Sequence, residues 1–282
     1  MTRADTVPGR FDANPNLAIL SAPTIRGGEP YVLMTALPSD LHFANAWPML
    51  WPRGLAIGDA TSGPRLRPGD VTDGVLAAYR WRYGPVATRD AVFFYLYGLI
   101  HSPEFRARFA VDLGSLLPRR PMAAAFDAFA HAGRELADLH VGYESVPPWP
   151  FEPVVDGIRM HPASSDYAAR IPEDALRVTR MRWAAEGDRS MVLVNERLAL
   201  HAIPPEAHEY RLGTRSALDW VLHRYRVRGD RTSGTLHDPN AWGEAHGDPR
   251  ALVDLIGRIT RVSVETVAIV RALPRLEILP EG

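Results

Sequence analysis

The chain has 282 residues, 46% of them apolar and 23% charged, and a formal net charge of −1. That length buries a substantial core as one large domain or two lobes, and the near-neutral charge excludes a generic polyanion binder. It contains no Cys and no Lys, so all 32 basic residues are Arg. Disulfides, thiolate metal sites, cysteine nucleophiles, a phosphate-loop lysine and a Schiff-base lysine are therefore excluded. Every cation is a planar guanidinium, suited to phosphates and guanine edges. No apolar run reaches the ~18 residues of a membrane span, and the N-terminus lacks the apolar stretch of a signal peptide.

Residues 1–13 read as a flexible lead-in. Strand-like runs are expected at Asn16–Ser21, Tyr31–Leu37 and Asp40–Phe43. The Pro- and Gly-rich stretch Trp51–Asp70 reads as a loop. A helical block is expected from Thr72 to about Tyr143. Thr72, Thr88 and Ser102-Pro103 serve as start signals, and Phe126, Phe129, Ala130, Gly133, Leu136 and Ala137 form one buried face. Ser145–Pro153 is expected to break the helix and link two lobes, 14–148 and 149–282. Strand character returns at Leu176–Ala184, Arg189–Val194 and Arg197–Ala202. Helices follow at Thr214–Val227 and about Pro249–Leu273, the last with Leu252, Leu255, Ile256, Ile259, Val262 and Thr266 on one face. The fold class is α+β: mixed strands at the start and centre, a helical middle block and C-terminal helices.

Several constellations carry the residue types of known chemistry. His131 and Glu135 stand four apart on a helix with Asp138 and His140, but the His-Glu-x-x-His spacing is missing, and a solvated helix face is the better reading. Ser233, His237 and Asp238 crowd into one turn, whereas a hydrolytic triad converges from separate elements. Asp238-Pro239-Asn240-Ala241-Trp242 lacks the second proline of the amino-methyltransferase motif, and no glycine-rich methyl-donor turn exists, so a turn closed by the Asp238 and Asn240 side chains is the better reading. Trp47, Trp51, Tyr79, Trp81 and Tyr83 could stack on bases, though packing is the favoured role for such aromatics. Between Arg211 and Arg231 six arginines face only Asp219 and Asp230. Arg224, Arg226, Arg228 and Arg231 lead into a loop with Ser233, Gly234, His237 and Asn240, a mixture suited to phosphate contact; the alternative is arginines offsetting a helix dipole.

Many collinear words run from about Asn16 to Pro274. They include Asp40-Leu41-His42-Phe43, Tyr97-Gly98 with His101-Ser102-Pro103-Glu104, Leu117-Pro118-Arg119 and Ala132-Gly133-Arg134-Glu135-Leu136. Others are Leu139-His140, Tyr143-Glu144, Asn195-Glu196, Ser216-Ala217, Ser233-Gly234 and Asp238-Pro239-Asn240. Together they resemble the C-terminal specificity domain of Type ISP restriction–modification enzymes; His237 departs from the Asn usual before Asp-Pro-Asn. In that family a nuclease and an ATP-driven translocase precede an adenine-N6 methyltransferase and then this domain.

The resemblance implies recognition of an asymmetric duplex DNA sequence and its presentation to a methyltransferase partner. It implies no catalytic residue and no metal or other cofactor in this chain. S-adenosylmethionine, ATP and Mg belong to partner modules, and the expected location is cytoplasmic. The chain would be a separate specificity subunit or the remnant of a split gene. Words common to readers of different sequences should be scaffold, phosphate contacts or partner interface. Base readers are therefore expected in less family-like stretches, at Arg53, Arg65, Arg67, Arg159, Arg170 and Arg177. Arg224, Arg226, Arg228, Arg231, Ser233 and Asn240 are the expected backbone contacts. The rival reading is a protein-interaction module that docks on a methyltransferase or translocase without binding DNA.

Overall fold

The computed structural model describes residues 17–22, 31–36, 49–52, 71–109, 121–160, 171–229, 234 and 236–280. It is an α+β molecule of two compact units. The first gathers the described residues up to Gly142, with Leu212–Thr214 and the chain from Ala268 onward; the second holds Tyr143–Arg211 and Arg215–Val267. The expected lobe boundary at 148 thus falls nearer 142. The last residues, expected in the second lobe, return to the first.

In the first unit, β1 (Ala18–Ala22), β2 (Tyr31–Thr35) and β3 (Met49–Pro52) form an antiparallel sheet in the order β2-β1-β3. In β2, Val32 and Met34 are buried and Leu33 and Thr35 only partly so, the alternation of a sheet with one face on a core, while Leu17, Ala18 and Ile19 are all buried. Trp51 and Pro52 extend this sheet instead of opening a loop. Pro52 fits because β3 is an edge strand and the proline is its last residue. The expected strand Asp40–Phe43 lies outside the described residues.

Among the described residues four α-helices follow: α1 (Asp73–Tyr83), α2 (Arg89–His101), α3 (Pro103–Arg108) and α4 (Phe126–Val141). The expected caps form. Thr72 Oγ1 accepts from Val75 N at 3.3 Å, Thr88 Oγ1 from Ala91 N at 3.0 Å, and Ser102 Oγ from Phe105 N at 3.4 Å before Pro103. Every residue of α2 from Val92 to His101 is buried, so this helix is a core element without a polar face. Its crossing with α4 rests on two glycines. A Cβ on Gly98 would overlap the Phe129 carbonyl oxygen, and one on Gly133 would overlap that of Phe94. The backbones can meet only because both side chains are absent. Residues near the C-terminus close this unit: Ala124 N donates to Glu277 O at 2.9 Å, and Leu279 N to Met122 O at 2.8 Å.

The second unit carries a five-stranded antiparallel sheet. Its strands are β4 (Glu152–Val155), β5 (Ile158–Arg159), β6 (Arg182–Ala185), β7 (Asp188–Leu193) and β8 (Leu198–His201), in the order β5-β4-β8-β7-β6. Only the first two residues of β4, Glu152 and Pro153, fall in the stretch expected to be a linker. Pro153 is tolerated there because its polar backbone groups face the short β5 side, where its carbonyl accepts from Met160 N at 2.8 Å. Asp156 (φ 49°) and Gly157 (φ 81°) form the two-residue turn of the β4–β5 hairpin. The strand expected at Leu176–Ala184 is largely displaced. A short helix, α5 (Glu173–Leu176), precedes an irregular segment, and only Arg182–Ala185 pairs.

Then come α6 (Ala217–Arg224), a small hairpin of β9 (Arg228–Gly229) and β10 (Leu236–His237), α7 (Asn240–His246) and α8 (Ala251–Arg271). The most buried face of α8 differs in part from expectation. Ile256, Val262 and Thr266 are buried as expected, together with Val253, Gly257, Thr260, Ser263 and Val267, whereas Leu252, Leu255 and Ile259 are only partly so. Small residues lie deepest because the chain packs closely there: a Cβ on Gly257 would press on Pro148.

Candidate nucleic-acid interface

Arginine clustering around the end of α6 gives the second unit its most cationic described surface. Ser216 and Asp219 start this helix with a reciprocal capping box: Asp219 N donates to Ser216 Oγ at 3.1 Å, and Ser216 N to Asp219 Oδ2 at 3.4 Å. Asp219 also accepts from Trp183 Nε1 at 2.8 Å and Arg189 Nη1 at 2.9 Å. Burial raises its pKa, but the hydrogen bonds from Trp183 and Ser216 and the Arg189 charge outweigh it and hold the carboxyl below its ordinary value. The one acidic residue of α6 is thereby engaged at the helix start.

The other end is basic. Arg224 and Arg226 are exposed and Arg228 half-buried, with Arg228 Nη2 donating to Arg224 O at 3.4 Å. Arg215 lies over the Trp220 ring, 5.2 Å from its centroid. Burial lowers the pKa of His223 below its ordinary value, and the charges of Arg215, Arg226 and Arg228 lower it further. Three guanidinium groups are thus close enough to one imidazole to oppose its charging. Among the described residues, none of Arg215, Arg224, Arg226 and Arg228 is ion-paired with a carboxylate. Arg215 had not been singled out from the sequence. Its signal was its place in the arginine run, nine residues before Arg224, and only the fold draws it in.

Two expected base readers lie in a different setting. Arg159 pairs with Glu152 at 2.8 Å. Arg177 pairs with Asp238 at 2.5 Å and with Glu244. Arg177 also borders a cavity of about 260 Å³ whose lining includes Glu173, Asp174, Glu244 and Asp248, a carboxylate surface that repels phosphate.

Asn240, expected on the DNA backbone, is buried. Its Oδ1 accepts from Val178 N at 2.8 Å and its Nδ2 donates to Val178 O at 2.9 Å. The amide fastens α7 to the irregular segment after α5, and both its oxygen and its nitrogen are already engaged there. Asn195 works the same way, donating to the carbonyls of Ala175 and Arg177 at 2.7 Å each. Arg53, Arg65, Arg67, Arg170, Arg231 and Ser233 lie outside the described residues.

The remaining constellations resolve plainly. His131 and Glu135 form an exposed pair at 3.4 Å, and no group of three metal-ligating side chains occurs among the described residues. Asp238 serves Arg177 and Asn240, with 2.6 Å between its Oδ1 and Asn240 Nδ2. Tyr79 is buried in the first core and Tyr83 stacks on Phe126 at 4.5 Å, but Trp81 stands 75% exposed.

The comparisons agree with this architecture. The family model of the Type ISP C-terminal specificity domain matches residues 1–255. A nuclease-deletion mutant of the Type ISP restriction–modification enzyme LlaGI, solved with a DNA substrate mimic, is similar at a TM-score of 0.67 and 25% identity, over 94% of this chain and 22% of that one. The DrdV–DNA complex is similar at 0.67 and 28%, over 93% and 25%. The ATP-dependent Type ISP enzyme LlaBIII, bound to DNA, shares the fold at 0.70 and 24%, over 93% and 16%. This chain therefore spans a quarter or less of the length of these proteins. No curated protein sequence matches it. With the family model spanning most of its length, the chain belongs to the Type ISP C-terminal specificity domain family.

Proposed function

We propose that this chain recognises a duplex DNA target for a Type ISP-like restriction–modification system and presents the site to an adenine-N6 methyltransferase. In this reading it binds no cofactor, catalyses nothing itself and works in the cytoplasm. The observation that carries the reading is the cluster of Arg215, Arg224, Arg226 and Arg228 around His223, without carboxylate partners among the described residues. Leaving four cations unneutralised in a chain of net charge −1 suits a polyanionic partner. Similarity to proteins solved with DNA supports the same reading. The buried Asn240 and ion-paired Arg177 belong, in this proposal, to the scaffold that holds the reader's shape.

Selection from a randomised duplex pool by the purified chain at low salt tests the proposal. Enrichment of one short asymmetric motif is the expected result, and failure to retain DNA opposes it. The double variant Arg226→Gln/Arg228→Gln should weaken target and scrambled duplexes alike. For every phosphate no longer neutralised, the slope of log K against log salt should flatten by about 0.9. Association with a methyltransferase that is insensitive to salt, with no DNA retention, would favour the protein-docking reading instead.

A further inference from the structure

Trp81 has no role in holding the fold. On α1 the core face is Leu76, Tyr79 and Tyr83, at spacings of three and four. Trp81 follows Tyr79 by two residues, about 200° around the helix, and points away from that core. It is 75% exposed, the most exposed of the large hydrophobic side chains described. Ala77 and Ala78, one turn earlier on its side of the helix, are small and exposed, so the indole stands above a low surface.

Its neighbours Arg80 and Arg82 are exposed too. Arg80 Nε donates to Ala87 O at 3.3 Å, which steadies the side chain without neutralising it. Arg82 has no ion pair among the described residues. The one carboxylate on α1, Asp73, is eight residues away, roughly 12 Å along the axis, and is paired with Arg89. Arginines at a helix C-terminus can be explained by the dipole alone. An indole raised between two of them cannot.

We propose that Trp81, flanked by Arg80 and Arg82, is a second DNA-contact surface, on the first unit. The indole lies against a sugar, or against a base turned out of the stack, while the arginines hold the adjoining phosphates. This inference rests on the DNA-recognition reading above and assigns that role to residues outside the arginine cluster. Trp and Arg also anchor protein interfaces, but Arg80 and Arg82 on either side of the indole complement phosphate. Contact through the ring face is sequence-tolerant, so Trp81 contributes affinity and positioning, not base choice.

The test measures binding of the full chain to a duplex carrying its selected motif and to a scrambled duplex, across salt concentrations. Trp81→Ala should weaken both complexes roughly 5- to 150-fold, the range expected for removing one aromatic stack, without changing the salt slope. Trp81→Phe should recover most of the affinity. Arg82→Gln should flatten the slope by about 0.9. The thermal midpoint of Trp81→Ala should match that of the unaltered chain, which excludes unfolding as the cause.

If Trp81→Ala binds both duplexes as tightly as the unaltered chain, this inference is overturned while the DNA-recognition reading stands. If it keeps its DNA affinity but loses a methyltransferase partner, the surface is a protein interface and the inference is again overturned. If the unaltered chain binds no duplex at low salt, both readings fall.

Discussion

Asn240 shows how a polar residue in a loop-like word can be structural. Its amide makes two hydrogen bonds to the backbone of Val178 while Asp238 Oδ1 accepts from Asn240 N at 3.0 Å. Removing a buried partner leaves the backbone groups of Val178 without theirs, which costs more than the net worth of the bonds. Asn240→Ala should therefore destabilise the second unit by about 2–4 kcal/mol, read from urea unfolding. Serving as scaffold, it should alter DNA affinity only as far as folding suffers. Asp-Pro-Asn was legible in the sequence as a turn closed by its own side chains. Its partner was not, because Val178 lies 62 residues away in sequence.

At the scale of elements, the α2–α4 pair joins residues whose wording was conspicuous in the sequence but whose purpose was not. Tyr97 Oη and His140 Nδ1 are 2.6 Å apart, and His101 Nδ1 is 2.8 Å from the Tyr97 carbonyl. The two histidine rings lie 5.6 Å apart in the core. Burial pushes the pKa of His101 well below its ordinary value, and the repulsion it would feel from a protonated His140, with the charge of Arg106, pushes it further. Burial also takes His140 down to about 3. Both imidazoles are thus neutral in the folded state while the unfolded chain takes up protons below about pH 6.5. Their contribution is fully present above that pH and is lost as pH falls below it, for His140 down to about 3. Stability should drop by about 1.4 kcal/mol per pH unit for each histidine in that window. Denaturant unfolding at pH 7, 6 and 5 checks this. His140→Gln should remove about half of the slope that this pair contributes; an unchanged slope would refute the assignment.

At the scale of the molecule, contacts cross sequence distances that no local pattern reports. Leu276 N donates to Glu104 Oε2 at 2.6 Å, and Ala123 forms an isolated bridge with Ile278. Ile269, Val270, Leu273 and Leu276 pack on the first core. Ending the chain after Leu273 should therefore destabilise the first unit by roughly 2–4 kcal/mol, because it removes both hydrogen bonds and apolar burial. Hydrogen exchange in α2 and α4 would report the change. Unaltered exchange there would mean that the last residues do not brace this unit. No helix among the described residues is long and apolar enough to cross a membrane.

Local chemistry was sufficient for part of this. Thr72, Thr88 and Ser102 marked helix starts because capping acts within three residues. Apolar spacing placed the buried face of α4, and the order of strands and helices gave the α+β class. The collinear words pointed to the family, and the family model agrees with them.

Only the tertiary structure decided which polar residues face inward and which aromatic faces out. It joined Asn240 to Val178, neutralised Arg177 with Asp238 and Glu244, brought Arg215 within reach of His223, and left Trp81 exposed beside the buried Tyr79. The physical reason is the same in each case. Burial and ion pairing are properties of neighbours in space, and the sequence order of an arginine or a tryptophan does not record them.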